Sequence, residues 1–73
     1  MIQIKGKLKY YNIGTGTWGL ISEDGTKYEL LKSAFTESFK DDIEVIVEGI
    51  IRNDVMSLAM IGKILEVKSF SFI

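Results

Sequence analysis

The sequence predicts an all-β fold: a five-stranded Greek-key barrel with a short helix or helical turn between strands 3 and 4. Two observations carry this prediction. Apolar and polar residues alternate with a period of two over most of the chain, which is typical of strands that bury one face. The chain has 73 residues, enough for the single domain 1–73, and a closed sheet lets so short a chain build one core with few exposed strand edges.

Three strands are predicted in the first half of the chain. Gly6 allows a bulge or a sharp bend within the first strand because it has no side chain. A glycine-rich turn, Asn12–Gly16, separates the first two strands, and the Asp24-Gly25 pair favours a tight hairpin before the third. The predicted strands are Ile2–Tyr11, Thr17–Glu23 and Lys27–Leu31.

The period of two breaks at Ser33–Lys40, where a short helical segment is predicted. Ser33 can cap a helix by accepting a backbone N–H bond, and Phe35 and Phe39 are spaced to share one helical face. Alternation then resumes, with a turn at Asn53-Asp54. The strands predicted here are Ile43–Arg52 and Val55–Ile61. The pattern allows the second of these strands to continue through Gly62 to Val67.

Three strands, a helical turn and two strands are the element order of an OB-fold, a partly open Greek-key barrel. An SH3-like barrel is the nearest alternative, since it also has five strands and short connections. The long first strand, which Gly6 allows to bend, favours the OB-fold-like barrel.

The composition narrows the classes of function. The chain has no Cys and no His, which excludes a disulfide framework, a zinc finger and a Ser-His-Asp triad. The acidic pairs Glu23-Asp24 and Asp41-Asp42 lie in predicted turns, where paired carboxylates rarely meet the environments that catalysis requires, and they lack the spacing of a calcium loop. We therefore expect a non-enzymatic protein without a cofactor or a metal.

Hydropathy gives an expectation about location. No apolar run reaches the length of a membrane span, and Met1–Lys5 contains no hydrophobic signal-peptide core. The sequence therefore predicts a cytoplasmic protein that does not bind membranes.

Charges and rings in the first hairpin indicate a binding site. The formal net charge is −1, yet residues 1–22 contain three lysines and no acid, whereas residues 37–73 contain seven acids and four bases. Single-stranded nucleic acid is bound by exposed rings beside cations that follow the phosphates. The candidate nucleic-acid-binding residues are Lys5, Lys7, Lys9, Tyr10, Tyr11 and Trp18. In the alternative interpretation the lysines only solvate one strand face, and Tyr10 and Trp18 belong to the core.

The string Gly14–Gly19 fits the G-x-G-x-x-G pattern of dinucleotide-binding sites. Such a site needs a helix that begins at the glycines, whereas the residues that follow here have a strand pattern. The chain is also too short for a complete dinucleotide-binding domain. We interpret the glycines as part of a hairpin loop.

Several segments resemble the cold-shock domain in order and approximate spacing. They are Gly6–Asn12 (GKLKYYN), Trp18–Ile21 (WGLI), Asp24-Gly25 and Ser33-Ala34. The resemblance covers roughly residues 5–35 and implies an OB-fold whose first three strands stack the bases of single-stranded DNA or RNA. It matches Lys9, Tyr10 and Tyr11 to the family's basic-aromatic strand, and Trp18 to the first aromatic residue of the next motif.

The chain departs from the cold-shock pattern at several stacking positions. Leu20 replaces the second aromatic residue, while Glu29, Leu31 and Lys32 stand where the family has Phe, His and Phe. Because each stacked base contributes roughly 1–3 kcal/mol, the loss of rings predicts weak binding. Tyr10 is placed differently by the two arguments: alternation puts it in the core, whereas the resemblance puts it outside. A bulge near the bend would reconcile them.

A second resemblance covers about residues 14–67. The segments Trp18–Tyr28, Phe39–Asp42 and Asp54–Gly62 are similar to a group of small prokaryotic OB-fold-like proteins without a settled function. In that group the residues at matching positions mostly pack the interior. The resemblance therefore implies packing roles for Trp18, Tyr28, Met56 and Met60.

The sequence leaves two functions open. The first is weak, sequence-tolerant binding of single-stranded DNA or RNA through the first hairpin. The alternative is a protein-interaction or self-association module without nucleic-acid binding, which forms a homodimer or contacts a partner through the apolar tail residues Phe70, Phe72 and Ile73. The same tail is also suited to completing the core of the barrel.

Overall fold

Five strands and one 3₁₀ helix make up the fold in a computed structural model that describes residues 1–57 and 59–73. The elements are β1 (Ile2–Tyr11), β2 (Thr17–Ser22), β3 (Lys27–Leu30), the 3₁₀ helix (Ala34–Ser38), β4 (Glu44–Arg52) and β5 (Lys63–Phe72). The strands close into a barrel in the order β1-β2-β3-β5-β4. β3 and β5 run parallel, and the other neighbours run antiparallel. The chain therefore has the predicted all-β, OB-fold-like barrel with a helical turn between strands 3 and 4.

Closure of the barrel depends on β1, which pairs with two strands. Its residues Ile2–Lys7 pair with β4, and Gly6–Tyr11 pair with β2. Gly6 is thus held between both neighbours, and a Cβ there would overlap the carbonyl oxygen of Ile21. The first strand needs glycine at this position because the adjacent backbone comes too close for any side chain.

The core lies inside the barrel and draws on every strand. Alternation along β1 turns Ile4 and Leu8 inward, and Leu8 is fully buried. The remaining buried core residues are Leu20, Leu30, Phe39, Val45, Val47, Leu65 and Val67. Because β1 and β5 both contribute, the core joins the two ends of the sequence.

The two predicted turn features of the first half are present. Gly14 and Gly16 have φ values of 61° and 102° in the loop between β1 and β2, so the glycine string belongs to a hairpin loop. In the next turn Asp24 accepts hydrogen bonds from the Ser22 hydroxyl and, at 3.0 Å, from the Thr26 N–H. These bonds lower the pKa of Asp24 to about 2.

The helical segment after β3 begins as predicted. Ser33 caps it, since the Phe35 N–H donates to the Ser33 hydroxyl at 3.3 Å. Phe39, just past the helix, is buried in the core, whereas Phe35 stays partly exposed. No helix in the described part of the chain is long and apolar enough to cross a membrane.

The fifth strand was predicted at Val55–Ile61, and this prediction is wrong. The described residues of that segment form an irregular loop, and β5 begins only at Lys63; Leu58 lies outside the described residues. Arg52 holds both ends of the loop, because its guanidinium bonds Asp54 at 2.8 Å and Glu66 at 2.7 Å. The Asn53-Asp54 turn therefore opens a long connection rather than a hairpin.

A bulge explains why alternation does not reveal β5. Glu48 pairs with Ser69 and Gly49 with Val67, so Lys68 is the extra residue on β5. The insertion shifts the phase of the strand, and Phe70 packs on the same core as Val67 although the two are three positions apart.

The apolar tail belongs to β5 and completes the barrel of its own chain. Val47 pairs with Phe70 and Val45 with Phe72. Phe70 packs against the core, its ring centroid 4.9 Å from that of Phe39. Phe72 and Ile73 remain 47% and 62% exposed.

We predict that Gly6→Ala lowers the free energy of unfolding by about 1–3 kcal/mol, the usual cost of overpacking a tight site. The physical reason is the overlap of the new methyl group with the Ile21 carbonyl oxygen. Urea denaturation followed by circular dichroism measures the change. Gly14→Asn is the control, because Gly14 has open space around it and asparagine tolerates its positive φ. Equal stability of Gly6→Ala and the parent chain would contradict the role given to Gly6.

Candidate nucleic-acid interface

The six residues predicted to bind nucleic acid lie on two different faces. The register of β1 with β2 is unbroken and pairs Lys9 with Gly19, Tyr10 with Trp18 and Tyr11 with Thr17. Lysines 5, 7 and 9 alternate with the buried positions of β1 and lie on the outer face, as does Tyr11. Tyr10 and Trp18 share the opposite, core-facing side. The hairpin therefore does not bring all six residues into one surface.

Tyr10 and Trp18 form an aromatic pair at the end of the barrel. Their ring centroids are 5.1 Å apart in an edge-to-face arrangement, and Trp18 contacts Phe39 in the same way at 5.7 Å. Trp18 is half-buried against the core, yet Tyr10 is 45% exposed. Alternation thus predicts the correct side of β1, without a bulge, but the core position that it predicts for Tyr10 is wrong, because the residue lies at the end of the barrel and stays exposed.

The loop between β1 and β2 fixes the Tyr10 ring. A Cβ at Gly16 would overlap the Tyr10 hydroxyl, so the loop backbone packs directly on that group. The Tyr10 N–H also donates to the Asp41 carboxylate at 2.8 Å. Tyr11 is held on the other face, where its ring lies over Gly19 and excludes any side chain there.

The lysines of β1 are paired with acids that the sequence places far away. Lys9 Nζ lies 2.9 Å and Lys7 Nζ 3.7 Å from Asp42 Oδ1, and Lys5 Nζ lies 3.9 Å from Glu23 Oε2. The hydrogen bond from Lys9 and the positive charges of Lys9 and Lys7 lower the pKa of Asp42, and the same contact raises the pKa of Lys9. The lysine strand is therefore not an open cationic surface.

A cleft of about 520 Å³ opens at the end of the barrel, between the β1–β2 loop and the β4–β5 loop. These two loops and the strands between them form the usual ligand face of an OB-fold. The cleft volume falls within the roughly 300–1,000 Å³ typical of small-ligand sites. The lining residues that favour binding are Tyr10, Ile13, Trp18, Lys32, Val55 and Met56, and the acidic residue Glu29 lines the cleft as well.

Lys32 supplies the cation of this cleft. Among the described residues, four lysines form no ion pair: Lys27, Lys32, Lys40 and Lys63. Of these only Lys32 lines the cleft. Sequence reasoning missed Lys32 as a site residue. It comes just after the predicted third strand, and the sequence comparison marks it only as a departure from the cold-shock motif.

Glu29 anchors the loop that forms one wall of the cleft. Its residue is only 6% exposed, and its Oε1 accepts a hydrogen bond from the Ser57 hydroxyl at 2.5 Å. The Ser57 hydroxyl in turn accepts a hydrogen bond from the Met60 N–H at 2.8 Å. Met60 has a φ of 55°, a backbone conformation that residues other than glycine rarely adopt. A buried carboxylate on β3 thus holds the backbone of the β4–β5 loop in a defined conformation.

The packing roles implied by the second resemblance are only partly correct. Trp18 and Tyr28 do pack against the core. Met56 and Met60 do not, since they are 84% and 86% exposed. The reason is that both methionines lie in the loop that replaces the predicted fifth strand.

Comparison with known proteins adds no relative. No family model, no curated protein and no solved structure matches the chain. Within the described residues, no group of three or more Asp or Glu side chains is placed to hold a metal ion. The strand order and the position of the cleft are therefore what define the protein as a small OB-fold-like barrel.

We predict that Ser57→Ala releases the β4–β5 loop. The change removes the donor to buried Glu29 and the acceptor for the Met60 N–H, and we expect a loss of about 1–3 kcal/mol in unfolding free energy. Hydrogen exchange at the Met60 amide should accelerate. Ser38→Ala is the control, because Ser38 is exposed and its hydroxyl makes no hydrogen bond within the described residues. Unchanged exchange at Met60 would show that Ser57 does not hold the loop.

Proposed function

We propose that the protein is a binding module that takes single-stranded nucleic acid in the cleft between the β1–β2 and β4–β5 loops, weakly and with little sequence preference. One observation carries the proposal: the cleft combines the exposed ring of Tyr10, the half-buried ring of Trp18 and the ammonium of Lys32, which forms no ion pair with the described residues. Rings for bases beside a cation for phosphate are the requirement for such ligands. The resemblance to cold-shock domains supports the same class of ligand.

The cleft assigns different roles to its side chains. The Tyr10 ring offers a surface on which a base stacks, and its edge-to-face contact with Trp18 helps to hold that ring in place. Lys32 meets a phosphate, while the apolar side chains of Ile13 and Met56 contact the sugar and base edges. With one free cation and one well-exposed ring, affinity is modest, since each stacked base contributes roughly 1–3 kcal/mol.

Titration of short oligonucleotides at low salt tests the proposal through the fluorescence of Trp18, the single tryptophan of the chain. We expect Lys32→Gln to weaken binding and to reduce the slope of log affinity against log salt by about 0.7, the value for one phosphate contact on a single strand. Lys40→Gln removes the same charge outside the cleft and should leave binding unchanged. No change in Trp18 emission with any oligonucleotide, or equal effects of the two variants, would overturn the proposal.

A second variant tests how far the paired lysines limit binding. Asp42→Asn frees Lys7 and Lys9 from their shared carboxylate, but neither lysine lines the cleft, so affinity at low salt should rise no more than the loss of one negative charge explains. Asparagine tolerates the φ of 65° at this position, so the backbone is retained. Glu48→Gln, which makes the same charge change at an exposed position of β4, is the control. We expect the two variants to act equally, whereas a clearly larger gain with Asp42→Asn would place the ligand on the lysine face of β1 and contradict binding in the cleft.

A further inference from the structure

The second half of β5 is paired on one side only. β3 pairs with β5 along Lys63, Ile64 and Leu65, whereas β4 pairs with it as far as Phe72. Beyond Leu65 the edge of β5 that faces away from β4 has no neighbouring strand among the described residues. An unpaired strand edge presents backbone donors and acceptors that can pair with another chain.

The ladder with β4 shows which backbone groups face this edge. The Ile73 N–H donates to the Glu44 carbonyl at 3.1 Å. Bonded and non-bonded pairs alternate along an antiparallel ladder, so Ser71 bonds to β4, while Phe70 and Phe72 stand in non-bonded pairs. The N–H and C=O groups of Phe70 and Phe72 therefore point away from β4. The described part of the chain gives these groups no hydrogen-bond partner.

The side chains of residues 69–73 on this edge are apolar or small and carry no charge, whereas Glu66 and Lys68, nearer β3, pair with each other at 3.0 Å. Residues 69–73 read Ser-Phe-Ser-Phe-Ile and contain none of the lysines or prolines that protect natural edge strands. Phe72 and Ile73 are exposed, and so is Phe35 of the 3₁₀ helix at 38%, whose ring centroid lies 6.0 Å from that of Phe70. The edge thus combines free backbone groups with exposed apolar surface.

We infer that this edge pairs with the same edge of a second copy of the chain to form a two-fold symmetric dimer. With the symmetry axis at Ser71, Phe70 of one copy lies opposite Phe72 of the other, and both pairs exchange N–H···O bonds. The rings of Phe70 and Phe72 then meet across the junction on one face, and the two Ser71 side chains meet on the other. A two-fold interface needs a patch that is complementary to itself.

The uncharged segment 69–73 is matched electrostatically by the same segment of another copy, which favours a second copy over a charged peptide. In this arrangement no charged side chain of one copy faces a like charge of the other within residues 69–73. The edge also shares no residue with the lining of the cleft. Dimerisation therefore neither requires nor excludes the proposed binding of nucleic acid, and each can fail alone.

Two variants at position 72 separate the backbone contribution from that of the ring. Phe72→Ala removes the ring and keeps the N–H, whereas Phe72→Pro removes both the ring and the donor that faces the free edge. Proline is tolerated on an edge strand when its missing N–H would face solvent, so the ladder with β4 is retained. Sedimentation equilibrium of the full chain over a wide range of concentration gives the dimerisation constant.

We expect the apparent mass of the parent chain to rise from 8.2 kDa towards twice that value as its concentration increases. Phe72→Ala should dimerise about tenfold more weakly or worse, because two ring contacts are lost, and Phe72→Pro should remain monomeric. A parent chain that stays monomeric at every concentration, or a Phe72→Pro chain that associates as well as Phe72→Ala, overturns the inference.

A surface substitution gives a test that does not depend on the fold of the proline variant. Ser71→Lys places two ammonium groups opposite each other at the symmetry axis, which disfavours pairing, while an exposed serine is replaced without loss of core. Ser38→Lys adds the same charge elsewhere and should dimerise like the parent chain. If Ser71→Lys dimerises as tightly as Ser38→Lys, the edge is not the interface.

Discussion

The pairing of β1 with two strands at once is the constraint on which the rest of the structure depends. A flat strand would pair along its whole length with both neighbours, but β1 passes from β4 to β2 at Gly6. The absence of a side chain lets the Ile21 carbonyl approach the strand. Once this close approach is made, the sheet closes on itself, and Leu8 and Val67 can lie in one core. For a chain of 73 residues, that single core is the main source of stability.

The same closure decides the electrostatics of the candidate site. It brings the turn before β4 against β1, where Asp41 binds the Tyr10 N–H and Asp42 lies between Lys7 and Lys9. Exposed ion pairs of this kind contribute little to stability. They bear more on the proposed binding, because they pair the lysines that alternation places on one face. Lys32, which lines the cleft and forms no ion pair with the described residues, lies in the connection after β3, where periodicity carries no information.

Local signals in the sequence were sufficient for much of the fold. The Asp24-Gly25 turn, the Ser33 cap and the alternation along β1 depend on neighbours within a few residues, and each was predicted correctly. The position of β5 was predicted wrongly, because the extra residue at Lys68 breaks the alternation from which a strand is inferred. The ion pair between Lys9 and Asp42 joins residues 33 positions apart, and only the closed barrel brings them together.

Glu29 both replaces a ring of the cold-shock stacking pattern and anchors the loop beside the cleft. On the outer face of β3, a ring would add to a stacking surface, but a carboxylate there is costly to bury unless it is hydrogen-bonded. Ser57 provides that bond and draws the β4–β5 loop towards the sheet. Ile64, the neighbour of Glu29 on β5, is 5% exposed although it lies outside the barrel core. Glu29 and Ile64 both line the cleft beside Tyr10 and Trp18, so a ligand there meets a carboxylate where the cold-shock pattern has a ring. The same carboxylate holds the loop that forms one wall of the cleft. A single acidic residue thus weakens the stacking surface and shapes the cleft that remains.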